Sequence, residues 1–241
     1  MNIPTGTDGG QPGYEGIIWD LDGVLLDSVS TDLDYDLRVR MDTAEELGWS
    51  MDHDEYNRYV NRGTRRELEN YLKEEGVSWE HVREIKENLQ EKKRSLIRDQ
   101  QLEVFENVDK TLEELHSSGV AMGIVTNAEE YTAEVFVETH GFEEYFDFVG
   151  GLLYDNFEVF LKRKKPSPYL IEQAIEKLPA DNFLVIGDSE NDVKAGHNAG
   201  VDAVLLSRAA EDRETSADYI IHDIREIPER EEIKLNTDRE V

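Results

Sequence analysis

Three short polar clusters each follow directly on an apolar run. Asp20 and Asp22 follow Ile17-Ile18-Trp19, Thr126 and Asn127 follow Val120 to Val125, and Asp188 follows Phe183 to Ile186. An aspartate is ionised at neutral pH, its reference pKa being about 3.9, so Asp20 has the charge state of a nucleophile that attacks phosphorus directly. Asp22, two residues on and off the strand axis, is placed to protonate a leaving oxygen and then to deprotonate the hydrolytic water. Thr126 offers a hydroxyl donor to a phosphoryl oxygen, and Lys165 a positive charge for the transition state. Carboxylates crowded together repel unless a cation joins them. Mg²⁺, a hard ion that takes oxygen ligands, is the natural candidate.

These residues are spread over more than 160 positions, so the fold must gather them. The apolar runs are short and β-branched, as in buried strands, and from Val108 they alternate with helical periodicity. Strands are expected at 17–19, 120–125, 146–149, 183–186, 201–206 and 219–221. Helices are expected over 108–118, 129–140 and 168–178, and from 189 to Gly200. Such alternation implies α/β architecture with an open, mostly parallel sheet, in which the carboxyl ends of the strands share one edge and ligands bind there. From about Ser30 to Arg98 strand signals vanish. Leu33, Leu37, Ala44 and Leu47, and later Val82, Ile85, Leu89 and Leu96, mark helices, which reads as a separate helical module inserted after the first strand.

Asp20-Leu-Asp22-Gly23-Val24, Thr126-Asn127, Lys165-Pro166-Ser167-Pro168 and Gly187-Asp188-Ser189-Glu190-Asn191-Asp192, in this order, resemble the four motifs of the haloacid dehalogenase superfamily. The resemblance extends over roughly residues 15 to 208. It implies a Rossmann-like core with Mg²⁺ on the side chains of Asp20 and Asp188 and the backbone carbonyl of Asp22. It also implies that Asp192 binds the metal through water or orients Lys165. The helical insert stands where that superfamily places its C1 cap. Gly63-Thr64, flanked by Arg62, Arg65 and Arg66, resembles the cap's substrate-specificity loop, and Asn127 joins these as a substrate-binding candidate.

Within the superfamily, Asp22 argues against the dehalogenases, whose halide leaving group needs no proton, and against the phosphonatases, which replace that aspartate. A phosphatase resembling the phosphoglycolate phosphatases is the favoured reading, acting on a small phosphorylated metabolite through an aspartyl phosphate. A β-phosphoglucomutase-like phosphomutase is the alternative: Gly63 to Leu68 resembles the mutase loop, although Asp32 and Gly187 depart from the mutase pattern. From other classes, a phospho-acceptor signalling domain and a non-catalytic acidic binding module fit less well, the former having no cap.

The resulting division has a glycine- and proline-rich lead-in over 1–13, a core over 14–29 and 100–228, a helical cap over 30–99, and a tail over 229–241 too polar to pack well. Ser28 reads as a turn residue, the six histidines show no ligand pair, and Tyr56, Tyr59 and Tyr71 read as cap core. The 241 residues carry 55 Asp and Glu against 26 Lys and Arg, a net charge of -29. Leu, Ile, Val and Phe still number 63, enough for a core despite the charge. So acidic a chain hardly supplies the basic face that nucleic acid requires. It contains no cysteine and no long apolar stretch, which points to a cytoplasmic protein without membrane association, a monomer or weak homodimer. Self-repulsion at this charge is relieved by concentrated salt, and lysine is scarce at 11 residues. Both suggest a halophilic, archaeal source. Against that background the seven basic residues among Arg62, Arg65, Arg66 and Lys162 to Lys165 are expected collectors of an anionic substrate.

Overall fold

The β-branched runs between turn signals form one six-stranded sheet. In a computed structural model, which describes residues 13–28, 35–208, 214–231 and 233–236, the strands are β1 (Gly16–Trp19), β2 (Ala121–Glu129), β3 (Phe148–Leu152), β4 (Phe183–Gly187), β5 (Asp202–Leu206) and β6 (Tyr219–Ile221). Their order is β3-β2-β1-β4-β5-β6, and every pairing is parallel. β1 therefore lies in the middle, between β2 and β4, and all four of its residues are buried. Parallel strands need crossovers, which the helices supply on both faces. Of the expectations, the lead-in up to residue 12 and Asp32 lie outside the described residues.

The helices that precede β2 are α1 (Tyr35–Glu46), α2 (His53–Tyr56), α3 (Arg65–Glu75), α4 (Trp79–Arg98) and α5 (Val108–Ser117). A π-helical turn, Asn57–Asn61, extends α2. α1 to α4 surround an apolar cluster of their own that includes Trp49, Tyr56, Val60, Leu68, Tyr71, Val82 and Ile85, with Tyr59 packed against it. Leu152 of β3, Tyr154 of the following loop and Phe160 complete that cluster. α4 belongs to both halves of the molecule: Val82 and Ile85 lie in the cap cluster, whereas Leu89, Leu96 and Ile97 lie in the main core.

Between and after the strands come α6 (Glu130–His140), α7 (Phe157–Arg163), α8 (Tyr169–Lys177), α9 (Glu190–Asn198) and α10 (Glu226–Glu229). α7 falls in a stretch, 150–165, to which the sequence patterns assign no element. Its signal is short but legible: the Asn156 side chain caps it, accepting from the Val159 amide at 3.0 Å, and Phe160 is its buried residue. β3 begins two residues later and ends three residues later than the 146–149 expectation, the chain staying extended through Gly150-Gly151. There the backbones crowd, and a Cβ on Gly151 would lie 2.6 Å from Glu130. The polar tail also needs correcting. Ile233 is buried in the main core, and Leu235 pairs in parallel with Tyr14, whose amide donates to the Lys234 carbonyl at 2.6 Å. One well-placed isoleucine anchors a segment whose average composition is hydrophilic.

Candidate active site

The carboxyl ends of β1, β2 and β4 bring Asp20, Thr126 and Asp188 to one edge, because these strands are parallel neighbours in register. The loop before α8 adds Lys165 and the first turn of α9 adds Asp192. Lys165 is the centre of the arrangement, its Nζ donating to Asp20 Oδ1 at 2.8 Å and to Asp192 Oδ1 at 2.6 Å, with all three side chains nearly inaccessible. Burial pulls the Lys165 ammonium down, but the Asp192 and Asp20 carboxylates outweigh it and hold the group above the ordinary lysine range. Burial pushes Asp20 well up; Lys165 opposes this, while Asp192 and Asp188 add to it. Asp192 is fixed on its other oxygen by the Ser189 amide at 3.1 Å and hydroxyl at 2.5 Å, closing the capping box of α9.

Asp20, Asp188 and Asp192 each place a carboxylate oxygen within 4.8 Å of the others. Burial first, then the Asp192 and Asp22 charges, push Asp188 up to about 6. Such an excess of buried negative charge among hard oxygen donors suits a small divalent cation. The glycines between the aspartates permit the approach. Gly23 has φ 77°, and a Cβ there would lie 2.1 Å from Asp188 Oδ2; one on Gly187 would lie 2.1 Å from Asp192 Cβ.

The Asp22 carboxylate has partners outside this trio. It accepts from Ser28 Oγ at 2.7 Å and is ion-paired with Lys93 of α4. Ser28, read from sequence as a turn residue, thus also positions Asp22. Thr126 is buried with its Oγ1 accepting from the Ala128 amide at 3.0 Å, and the Asn127 side chain accepts from the Lys165 amide at 2.9 Å.

The basic islands disperse. Lys162 lies over the Tyr169 ring, Arg163 donates to the Gly151 carbonyl and pairs with Glu130, and Lys164 donates to the carbonyls of Val60 and Gly63 at 2.9 and 3.3 Å. Only Lys165 reaches Asp20. Thr64 caps α3 in a capping box with Glu67, and Gly63 passes so close to Tyr59 that a Cβ would lie 2.5 Å from its carbonyl oxygen. Arg65 is exposed and engaged by Glu69 and Glu158, Arg66 is exposed, and Arg62 borders a separate hollow with Asp188 and Glu190.

What sequence reasoning missed lies between cap and sheet. A cavity of about 450 Å³ opens beside Asp22, Asn127 and Ala128 and is lined by Arg40, Lys86, Lys93 and Lys164. Lys86 and Lys93 were detectable: on α4, positions 82, 86, 89, 93 and 96 form one stripe, and two lysines interrupt its otherwise apolar run.

A model of the haloacid dehalogenase-like hydrolases matches residues 17–206. The phosphoglycolate phosphatase of Vibrio parahaemolyticus is 35% identical over 196 residues, 76% of this chain and 79% of that protein. The pyrophosphatase PpaX of Oceanobacillus iheyensis is 30% identical over 129 residues, covering 51% and 58%. Among solved structures, a hydrolase from Pseudomonas syringae superposes with a TM-score of 0.69 at 20% identity, covering 92% of this chain and all of the other, which supports the fold. The chain belongs to the haloacid dehalogenase-like hydrolases and is a phosphatase of that family. Among the described residues no helix is long and apolar enough to cross a membrane.

Proposed function

We propose that the protein hydrolyses a small phosphate monoester in two phosphoryl-transfer steps through Asp20. The observation that carries this reading is the Lys165 ammonium held between Asp20 and Asp192 at the strand edge that also presents Thr126 and Asp188. In the first step an Asp20 oxygen attacks phosphorus, the P–O bond to the alcohol breaks, and Asp22 acts as the general acid that passes a proton to the departing oxygen. In the second, Asp22 takes a proton from water, whose oxygen attacks the aspartyl phosphate and releases inorganic phosphate and free Asp20. Lys165 and the Thr126 hydroxyl offset charge on the phosphoryl oxygens throughout. Asp20, Asp188 and the Asp22 carbonyl are the groups that would hold Mg²⁺, with Asp192 orienting Lys165; the bound ion would neutralise phosphoryl charge.

The net charge of -29 supports placing this activity in a salt-rich cytoplasm, on a small phosphorylated metabolite, in a monomer or weak dimer. Hydrolysis of p-nitrophenyl phosphate in molar KCl, with and without Mg²⁺, tests the reading. Turnover is expected only with the metal, and Asp20→Asn is expected to lower kcat by about 10⁴-fold or more. Comparable activity in Asp20→Asn would refute the nucleophile.

A further inference from the structure

The cavity between cap and sheet contains more positive than negative charge, in a chain with 55 acidic residues and 26 basic ones. Its four cations are not equivalent. Arg40 is paired with Asp36 at 2.6 Å, and Lys93 is paired with Asp22. Lys86 donates to the Asn61 side-chain oxygen at 2.7 Å, and Lys164 donates only to the backbone carbonyls of Val60 and Gly63. Neither of these two has a carboxylate within ion-pair distance among the described residues. The two ammonium groups lie over the same Phe160 ring, 6.0 Å from its centre for Lys86 and 5.9 Å for Lys164, and both residues line the same cavity. Both side chains are buried. Burying a charge without a counter-ion is expensive, and an acidic chain has carboxylates to spare. Consistent with that cost, burial first, then the Arg40 and Lys164 charges, push Lys86 down to about 7 against the weaker opposing charge of Asp36, and burial pushes Lys164 down to about 8.

We infer that Lys86 and Lys164 form a second anion subsite, which receives a negatively charged group on the leaving-group side of the substrate. The substrate is then a phosphate monoester or anhydride carrying a second anionic group, a carboxylate or another phosphoryl group, and not an ester whose only anionic group is the reacting phosphoryl. This rests on the phosphatase reading above, with the reacting phosphoryl group at Asp20 and the second anion across the cavity from Asp22. Lys86 enters from cap helix α4 and Lys164 from the residue preceding Lys165, so the subsite is complete only when cap and core lie together.

The test compares kcat/KM for 2-phosphoglycolate, pyrophosphate and ethyl phosphate in the wild type, Lys86→Met and Lys164→Met. The wild type should prefer at least one probe with a second anionic group to ethyl phosphate by tenfold or more, and each variant should lose at least tenfold of that preference, mainly through KM. Which probe loses more identifies the second anion as carboxylate or phosphoryl. Lys86→Met should also melt at a higher temperature than the wild type at neutral pH, which a merely structural lysine would not do. Equal losses on all three probes, or a wild type indifferent to the second anion, would overturn the subsite while leaving the phosphatase intact. A wild type that hydrolyses none of them or p-nitrophenyl phosphate would sink the phosphatase reading and the subsite together.

Discussion

At the strand edge the Lys165 ammonium sits between two carboxylates, whereas across the cavity Lys86 ends on a side-chain amide and Lys164 on two backbone carbonyls. The two regions are similarly buried, yet one neutralises its cation internally and the other does not. In the first, removing either partner leaves the other stranded in a low-dielectric site. In the second, removing the cation relieves a cost already being borne. The buried lysines on the two sides thus carry opposite predictions for stability, and the same substitution to methionine separates them.

The largest contrast is expected at the edge. Lys165→Met should lower kcat by about 10²–10³-fold and destabilise the fold by about 3–5 kcal/mol, since Asp20 and Asp192 then face each other without their cation. Urea titration together with p-nitrophenyl phosphate kinetics measures both; an unaltered midpoint would show that the pairing is not structural.

Gly23→Ala probes the same edge through its backbone. The φ of 77° and the 2.1 Å approach to Asp188 Oδ2 leave no room for the methyl group. Half-saturation by Mg²⁺ should move about 10- to 100-fold upward, as when the surroundings of a metal ligand are disturbed. Retained metal affinity would break the link between the Asp-Leu-Asp-Gly turn and Asp188.

On the cavity side the prediction changes sign. Lys86 titrates near 7 in the folded protein against an ordinary 10.5, so between these values the unfolded chain binds the extra proton and stability rises with pH. The cost of the buried ammonium is complete below pH 7 and gone above about 10.5. Lys86→Met should therefore stabilise the fold most at pH 6, by on the order of a few kcal/mol, and progressively less toward pH 10, with the melting temperature following. Thermal melts across that range decide it; destabilisation at pH 6 would contradict the cost assigned to the charge. The smallest effect belongs to Arg65. Its bonds to Glu69 and Glu158 are exposed, so Arg65→Ala should leave the melting temperature in molar KCl unchanged, a large fall being the contrary result.

The strand edge was legible because its pattern is local: Asp20, Thr126 and Asp188 each terminate an apolar run, and parallel pairing does the gathering. The cavity was not, because its cations are scattered over α1, α4 and the turn before Lys165, and lysines in a stretch such as Glu84 to Arg94 resemble a solvated face. Only the coincidence of Lys86 and Lys93 with the stripe of Val82, Leu89 and Leu96 distinguishes them. The cap arginines show the converse. Arg65, expected at the substrate, is held by acidic neighbours, and Thr64 is occupied with capping α3. The packing of Ile233 escaped notice because one buried side chain does not alter a segment's average polarity.

α4 carries a final consequence. One continuous helix holds Lys93 against Asp22 and Lys86 against the far wall, and Lys86, Leu89, Gln90 and Lys93 all line the cavity. A rigid rod with charges at fixed marks is a ruler. At about 1.5 Å per residue, Lys86 and Lys93 stand about 10 Å apart along its axis. Moving the cation from position 86 to 90 would bring it about 6 Å closer to the reacting end without rotating it off the face. The reach of an accepted molecule is therefore graduated in helical turns, and a change of one turn would recalibrate it.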